Sequence, residues 1–389
     1  MKIVKIAKSK EEFLSRNHPW IFSGAIQSNT DELMDGELVK ICNSKNEFHG
    51  VGYFQPGTIA VRLLSFTDIK IDQEFWNARV LNAVELRKKL NLINSNNNIC
   101  RIIHGEGDGI PGLIVDYYNG SLIFQAHTVG IYLMKEFICQ ALLSVLGEKV
   151  LSIYDKSAET LPKRLMSTNN YLYGSLPCPH IAYENGIKFS IDWITGQKTG
   201  FFIDQRENRK LLGSYVKGKK VLNTFCYSGG FSIYALINGA ELVDSVDSSK
   251  KAIELLEQNI KMIEFSGSHK SIVADAIPFM NSVADLYDVI ILDPPAFAKH
   301  SSKRHQAIKA YTRLNANAIR QIKTGGIIFT FSCSQVVDYF QFQKVVMAAS
   351  IQCQRNVRIL HQLHQPSDHP ISAFHPEGDY LKGLVIQVD

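Results

Sequence analysis

Along the first stretch of the chain, short apolar runs alternate with Gly, Asn and Asp. WIFSGAI, GELVKIC, HGVGYF and IAVRLLSF follow one another this way before residue 70. Such runs, bounded by turn formers, predict the strands of a small β domain over 1–70. DQEFWNARVLNAVELRKKLN (72–91) then shows apolar residues at helical spacing with basic residues on the other side, which predicts a connecting helix. ICRIIHGEGDGIPGLIVDYYNGSLIFQAH reads as two strands around Gly-rich turns. It is followed by the helical IYLMKEFICQALLSVLG and further strands, so 71–190 is expected to hold the linker helix and a small α+β domain of order β-β-α-β-β.

From about 190 the rhythm changes. KKVLNTF, LVDSVD, SIVAD, YDVIILD, IIFTFSCS, VRILHQ and YLKGLVIQVD are apolar strands, and helical segments such as SSKKAIELLEQNIKMI and DYFQFQKVVMAASIQCQ separate most of them. This regular strand–helix alternation predicts an α/β domain over 191–389 with a doubly wound, Rossmann-like sheet. In such sheets ligands sit beyond the carboxyl ends of the strands. The residues to inspect are therefore the last of each strand and the first of each loop.

Composition narrows the class without changing the picture. At 389 residues, with 45% hydrophobic and 20% charged residues, the chain suits a globular protein of more than one domain. No run approaches the ~20 apolar residues that span a bilayer. The N-terminal MKIVKIAKSKEEF lacks an apolar h-region, so neither a membrane partner nor a signal peptide is expected. Seven cysteines without CxxC spacing argue against a zinc site and a disulfide framework, and point to a reducing, cytoplasmic location. No metal is expected. A net charge of +5 permits an anionic partner without requiring one.

The strand tips carry the candidate chemistry. The first strand of the α/β zone ends in Asn223-Thr224-Phe225-Cys226-Tyr227-Ser228-Gly229-Gly230, where glycine lets a backbone approach a ligand. The pattern is not GxGxxG, so a dinucleotide is not favoured. Asp247 ends the second strand, where an acid binds ribose hydroxyls. Asp275 ends the third, in reach of an adenine amino group, and Asp293-Pro294-Pro295 ends the fourth. Singly, each reads as a turn or a helix cap. In series they indicate a nucleoside-containing cofactor bound by Asn223, Phe225, Tyr227, Gly229, Asp247, Asp275 and Asp293. Gln205 and Arg206 lie in a Gly- and Phe-containing segment leading into the first strand, placed to reach the cofactor's polar end.

This series resembles the motifs of class I S-adenosylmethionine-dependent methyltransferases. More narrowly, the chain resembles bacterial 23S rRNA cytosine-C5 methyltransferases with an N-terminal PUA domain. HPWIFSGAI, GDGIPGLIVDYY, TGQKTGFFIDQRENR, NTFCYSGGFS, LDPPAFAK, FTFSCSQ and DHPISAFHPEGDYLKG carry the likeness. It implies S-adenosyl-L-methionine as cofactor, 23S rRNA as partner and RNA binding by residues 1–70. The oligomeric state stays open, a homodimer included. Many such enzymes carry Asp where this chain has Asn223.

Cytosine C5 needs activation by a thiolate at C6, and Cys333, closing the fifth strand, is the best placed of the seven cysteines. Asp293 is expected to hydrogen-bond the pyrimidine edge and favour N3 protonation, against a helix or loop cap, and Pro294 to stiffen the substrate turn. Lys299 opens a basic loop, Lys299 to His305, suited to substrate phosphates or simply to solvent. His369, beside Asp368 in a long loop before the last strand, is the candidate base for the C5 proton, against a purely structural role. Other targets stay open: a guanine nitrogen, uracil C5, or no reaction at all in an RNA-binding assembly factor.

Overall fold

The computed structural model describes residues 1–298 and 300–389, and the chain divides into two compact units. The first comprises Met1–Gly186, Ile191–Ile203 and Ser367–Gly378. The second comprises Ile187–Ser190, Asp204–Pro366 and Asp379–Asp389.

The first unit opens with a five-stranded sheet. Its strands are β1 (Lys2–Lys5), β2 (Trp20–Phe22), β3 (Leu38–Cys42), β4 (Phe48–Phe54) and β5 (Ile59–Ser65), in the order β1-β3-β4-β5-β2. Val4, Ile6, Ile21, Val39, Ile41 and Val61 form its core. Helix α1 (Gln73–Lys89) starts at Asp72, whose carboxylate accepts the Phe75 amide. A second sheet joins β6 (Ile99–His104), β7 (Leu113–Tyr118), β8 (Ser121–Ala126), β9 (Ser152–Asp155) and β10 (Asn170–Gly174), in the order β10-β9-β8-β7-β6. Helices α2 (Val129–Leu133) and α3 (Lys135–Leu146) lie between β8 and β9 in the chain. Trp76, Val80, Ile103, Phe124, Ile138 and Leu142 join α1, α3 and this sheet in one core.

The order here is three strands, two helices, two strands, a correction to the expected β-β-α-β-β. The apolar run LIVDYYNGSLIFQA is broken by Asn119-Gly120, both at positive φ, into a tight hairpin.

The hairpin strands β11 (His180–Glu184) and β12 (Ile187–Ile191) lead toward the second unit. Its sheet holds β13 (Lys220–Thr224), β14 (Leu242–Asp247), β15 (Ser268–Val273), β16 (Val289–Leu292), β17 (Gly326–Ser332), β18 (Val357–Leu363) and β19 (Lys382–Val388). The order is β15-β14-β13-β16-β17-β19-β18, parallel except for β19, which is antiparallel to both neighbours. The helices are α4 (Arg206–Leu212), α5 (Gly230–Ile237), α6 (Lys250–Ile260), α7 (Ala276–Met280), α8 (Arg304–Gln321) and α9 (Tyr339–Cys353).

Strand β16 shows why the sheet is covered on both faces. Ile290 and Leu292 pack with Tyr311 and Leu314 of α8 and Phe342 of α9, whereas Val289 and Ile291 pack with Phe231 and Leu236 of α5. A strand buried on both faces carries a continuous apolar run. The strand order reverses between β13 and β16, which opens the crevice where such sheets take ligands. Among the described residues, no helix is long and apolar enough to cross a membrane.

Candidate active site

The crevice is built from the tips of β13 and β16, whose last paired residues are Thr224 and Leu292. After β13 the backbone takes positive φ at every second residue: 55° at Phe225, 46° at Tyr227 and 84° at Gly229. Left-handed backbone at non-glycine residues costs energy and collects at functional sites. Gly229 is required twice over, because a Cβ there would also lie 2.0 Å from Leu256 Cδ1. Asp247, at the tip of β14, braces this loop. Its Oδ2 accepts the Tyr227 amide at 3.0 Å and its Oδ1 the Ser249 amide at 2.9 Å. Asp275 is exposed and caps α7, accepting the Ile277 amide at 3.0 Å.

Asn223 is buried. Its Nδ2 donates to Ser232 Oγ at 2.8 Å, while its Oδ1 is buried without a partner among the described residues. A buried acceptor left unsatisfied is uncommon and marks a place for a missing donor.

Beside this loop stands a second cluster. Gln205 Nε2 donates to Asp293 Oδ1 at 3.1 Å, and Asn208 orients the amide by donating to Gln205 Oε1 at 2.7 Å. Arg206 is buried and pairs through Nε with Glu207 at 3.1 Å. The Cys333 thiol points to the Pro294 carbonyl, 3.9 Å away, so β17's tip and the Asp-Pro-Pro turn meet. Burial first, and then the neighbouring Asp204, push the Asp293 carboxyl up to about 7. Burial, Asp293 and Asp204 push the Cys333 thiol up to about 11, against a smaller opposing pull from Lys382.

Three members of this cluster were not singled out from sequence. Asp204 Oδ2 accepts the Tyr380 hydroxyl at 2.7 Å, and its Oδ1 is buried without a hydrogen bond among the described residues. Lys382 is buried and donates to the carbonyls of Ser334 at 2.8 Å and Tyr380 at 2.7 Å. The signals were present: Asp204 precedes Gln205 directly, and Tyr380 and Lys382 sit in GDYLKG.

Lys299 and His369 complete the candidate set. Lys299 falls outside the described residues. His369 belongs to the first unit, where its side chain is fully buried and its Nδ1 lies 3.0 Å from Asp368. Asp368 in turn accepts the Arg101 amide at 3.0 Å. In the same unit His18, His375 and Glu377 bring three metal-capable atoms within 4.8 Å of one another. His18 Nδ1, however, accepts the Trp20 amide at 3.1 Å, which leaves the ring proton on Nε2, facing Glu377 at 3.3 Å. His375 Nε2 stands 3.8 Å from the same carboxylate oxygen of Glu377.

Residues 163–369 match the S-adenosylmethionine-dependent methyltransferase model, and residues 4–66 match that of a PUA-like domain. The chain belongs to the S-adenosylmethionine-dependent methyltransferase family. This methyltransferase is 36% identical to ribosomal RNA large subunit methyltransferase I of Shewanella frigidimarina and 35% identical to that of Aeromonas hydrophila. The alignments cover 99% of this chain in both cases, and 99% and 98% of the relatives. Its fold is that of a Streptococcus mutans protein described as a SAM-dependent methyltransferase, at TM-score 0.85 and 22% identity over the whole of both chains. A methyltransferase solved with S-adenosylhomocysteine matches equally well.

The residues present fit the cofactor. The unsatisfied Asn223 Oδ1, the loop kept free of a Cβ at Gly229, and carboxylates at the tips of β14 and β15 together offer acceptors and close backbone approach to a nucleoside.

Proposed function

We propose that this methyltransferase modifies C5 of a cytosine in 23S ribosomal RNA through a covalent adduct between Cys333 and C6. The relatives' name supports the RNA, and the observation that carries the chemistry is Cys333 against the Asp293-Pro294 turn. A nitrogen target would have no use for a thiol there. Asn223, Phe225, Tyr227, Gly229, Asp247 and Asp275 hold the nucleoside part of the cofactor, and Gln205 and Arg206 close its polar end. S-adenosylmethionine supplies the methyl group.

Cys333 gives its proton to solvent and forms the Sγ–C6 bond, while Asp293 donates a proton to N3. A carboxyl raised to about 7 is half protonated at neutral pH, which suits a donor of that proton. The C5=C6 electron pair is thereby made available at C5 for the methyl group. After transfer, a base removes the C5 proton, the C5=C6 bond re-forms, Cys333 leaves as thiolate and Asp293 takes its proton back.

Asp204 is the base in this scheme, because one oxygen is held by Tyr380 and the other carries no hydrogen bond among the described residues. His369, the candidate named from sequence, is the alternative. Pro294 and Lys299 contact the substrate strand. The protein acts in the cytoplasm on this reading.

Mass-spectrometric mapping of 23S rRNA from cells with and without the gene tests the target, and loss of no 5-methylcytosine would overturn it. Cys333→Ser should abolish transfer. Asp204→Asn should methylate without eliminating and accumulate a protein–RNA adduct on denaturing gels, whereas His369→Ala should not. The reverse outcome assigns the proton to His369.

A further inference from the structure

The stretch between the catalytic Asp293 and the α9 cap Asp338 contains no Asp or Glu and seven Lys or Arg. Most of it is α8, with its approach and its return. β16 and β17 are parallel neighbours, so the helix joining them starts at the carboxyl edge of the sheet, where Asp293 and Cys333 lie, and runs back along one face. Its 18 residues span about 27 Å. At ~100° per residue, His305, Lys309, Arg313 and Arg320 fall within one narrow arc of the helix. All four are exposed. Among the described residues, no ion pair engages Lys309, Arg313 or Arg320, whereas Lys323, just past the helix, is taken by Asp288 at 3.0 Å.

The ridge borders a cleft of about 360 Å³ against α9. Lys309, Thr312, Arg313, Asn317, Arg320 and Gln352 supply its polar lining, and no carboxylate is among its walls. Exposed like charges at i, i+4 spacing repel mildly, and a bound anion relieves that repulsion. Lys and Arg at i, i+4 spacing stand ~6 Å apart, close to the step between successive phosphates of a nucleic-acid strand.

We propose that this ridge and cleft bind the sugar-phosphate backbone of the RNA substrate, carrying the strand away from the catalytic edge along α8. The inference rests on rRNA being the substrate and adds where that RNA lies. The surface reads no base, so it contributes affinity and register rather than sequence choice.

The test is a triple variant, Lys309→Gln with Arg313→Gln and Arg320→Gln, measured with protein-free 23S rRNA transcript. Because all three side chains are exposed, the variant should keep the wild-type circular dichroism and cofactor affinity. RNA affinity at low salt should fall tenfold or more, and the slope of log affinity against log salt should flatten by about 2–3, as expected for three lost phosphate contacts. KM for RNA should rise with kcat at saturating RNA little changed. A control removing three exposed charges from the α6 region, Lys250→Gln with Lys251→Gln and Lys261→Gln, should do none of this.

Wild-type affinity and salt slope in the α8 variant, with the parent enzyme methylating rRNA normally, overturns the ridge and leaves the proposed function standing. Equal losses in the control overturn it as well. Loss of activity on assembled subunits alone, with unchanged binding to free transcript, would assign the ridge to a protein partner instead. A parent enzyme that neither binds nor methylates rRNA refutes the underlying reading, and the ridge with it.

Discussion

The Asp293 carboxylate acts on Cys333. Each is raised by burial, and the Asp293 anion adds to the elevation of the thiol. The sign of the coupling is open to measurement. Asp293→Asn removes a negative charge beside Cys333, so the thiol should ionise at lower pH. Alkylation of Cys333 by iodoacetamide, followed against pH by mass spectrometry, should shift its midpoint downward in that variant. An unmoved midpoint would mean that the carboxylate does not reach the sulfur. In the parent enzyme, reactivity should climb steeply only on the alkaline side, as a thiol at about 11 requires. Of this site, the sequence made Cys333, Asp293 and Gln205 readable, because each sits at a strand tip or beside a Gly-rich turn. Asp204 carried only the weak signal of standing beside Gln205, because its hydrogen-bond partner Tyr380 is 176 positions away. His369 is a candidate base because titratable residues on a long loop invite that reading, and the fold adds that its side chain is fully buried.

The loop between β13 and α5 shows how an element can be both legible and underestimated. Glycine after a strand announces a turn, but the three left-handed residues in alternation are a property of the folded backbone. Gly229→Ala should therefore cost more than an ordinary turn substitution. Strain at φ 84° alone is worth about 1–3 kcal/mol, and the clash with Leu256 adds to it. Calorimetry should register a lowered melting temperature together with weakened binding of S-adenosylmethionine. Weakened binding at unchanged stability would place the strain in the bound state only. The second sheet teaches the converse. Asn119-Gly120 is a strong hairpin signal in the sequence, but it was masked by the apolar residues on both sides of it, which merge into one apparent strand.

For the whole molecule, the alternation of strands and helices made the α/β architecture plain, while the two units are not two pieces of sequence. Ser367–Gly378 lies beyond β18 in the chain yet belongs to the first unit. Nothing in local pattern announces such a return. Its anchor is chemical: Arg87, itself buried and paired with Asp108 through both oxygens, also donates to the Asp368 carbonyl at 2.7 Å, and Asp368 caps the Arg101 amide. Asp368→Ala should remove the carboxylate that accepts the Arg101 amide and faces His369 Nδ1, at a cost of about 1–3 kcal/mol. Urea unfolding should show it as a lower midpoint, and hydrogen exchange should show lost protection at Arg101. A variant as stable as the parent would mean that the segment is held by packing alone.

Strand β19 lies between β17 and β18 in the sheet but follows both in the chain. During synthesis the chain emerges from its N-terminus, so β18 appears while its sole neighbour in the sheet is still unmade. Until β19 slots in antiparallel, β17 has an open edge and β18 has nothing to pair with. Lys382 and Tyr380, which complete the surroundings of Cys333, arrive with that same last segment. A nascent chain can thus assemble the cofactor end of the sheet early while its thiol stays incompletely housed. Cys333 therefore gains its Lys382 neighbour only after β19 has inserted between β17 and β18.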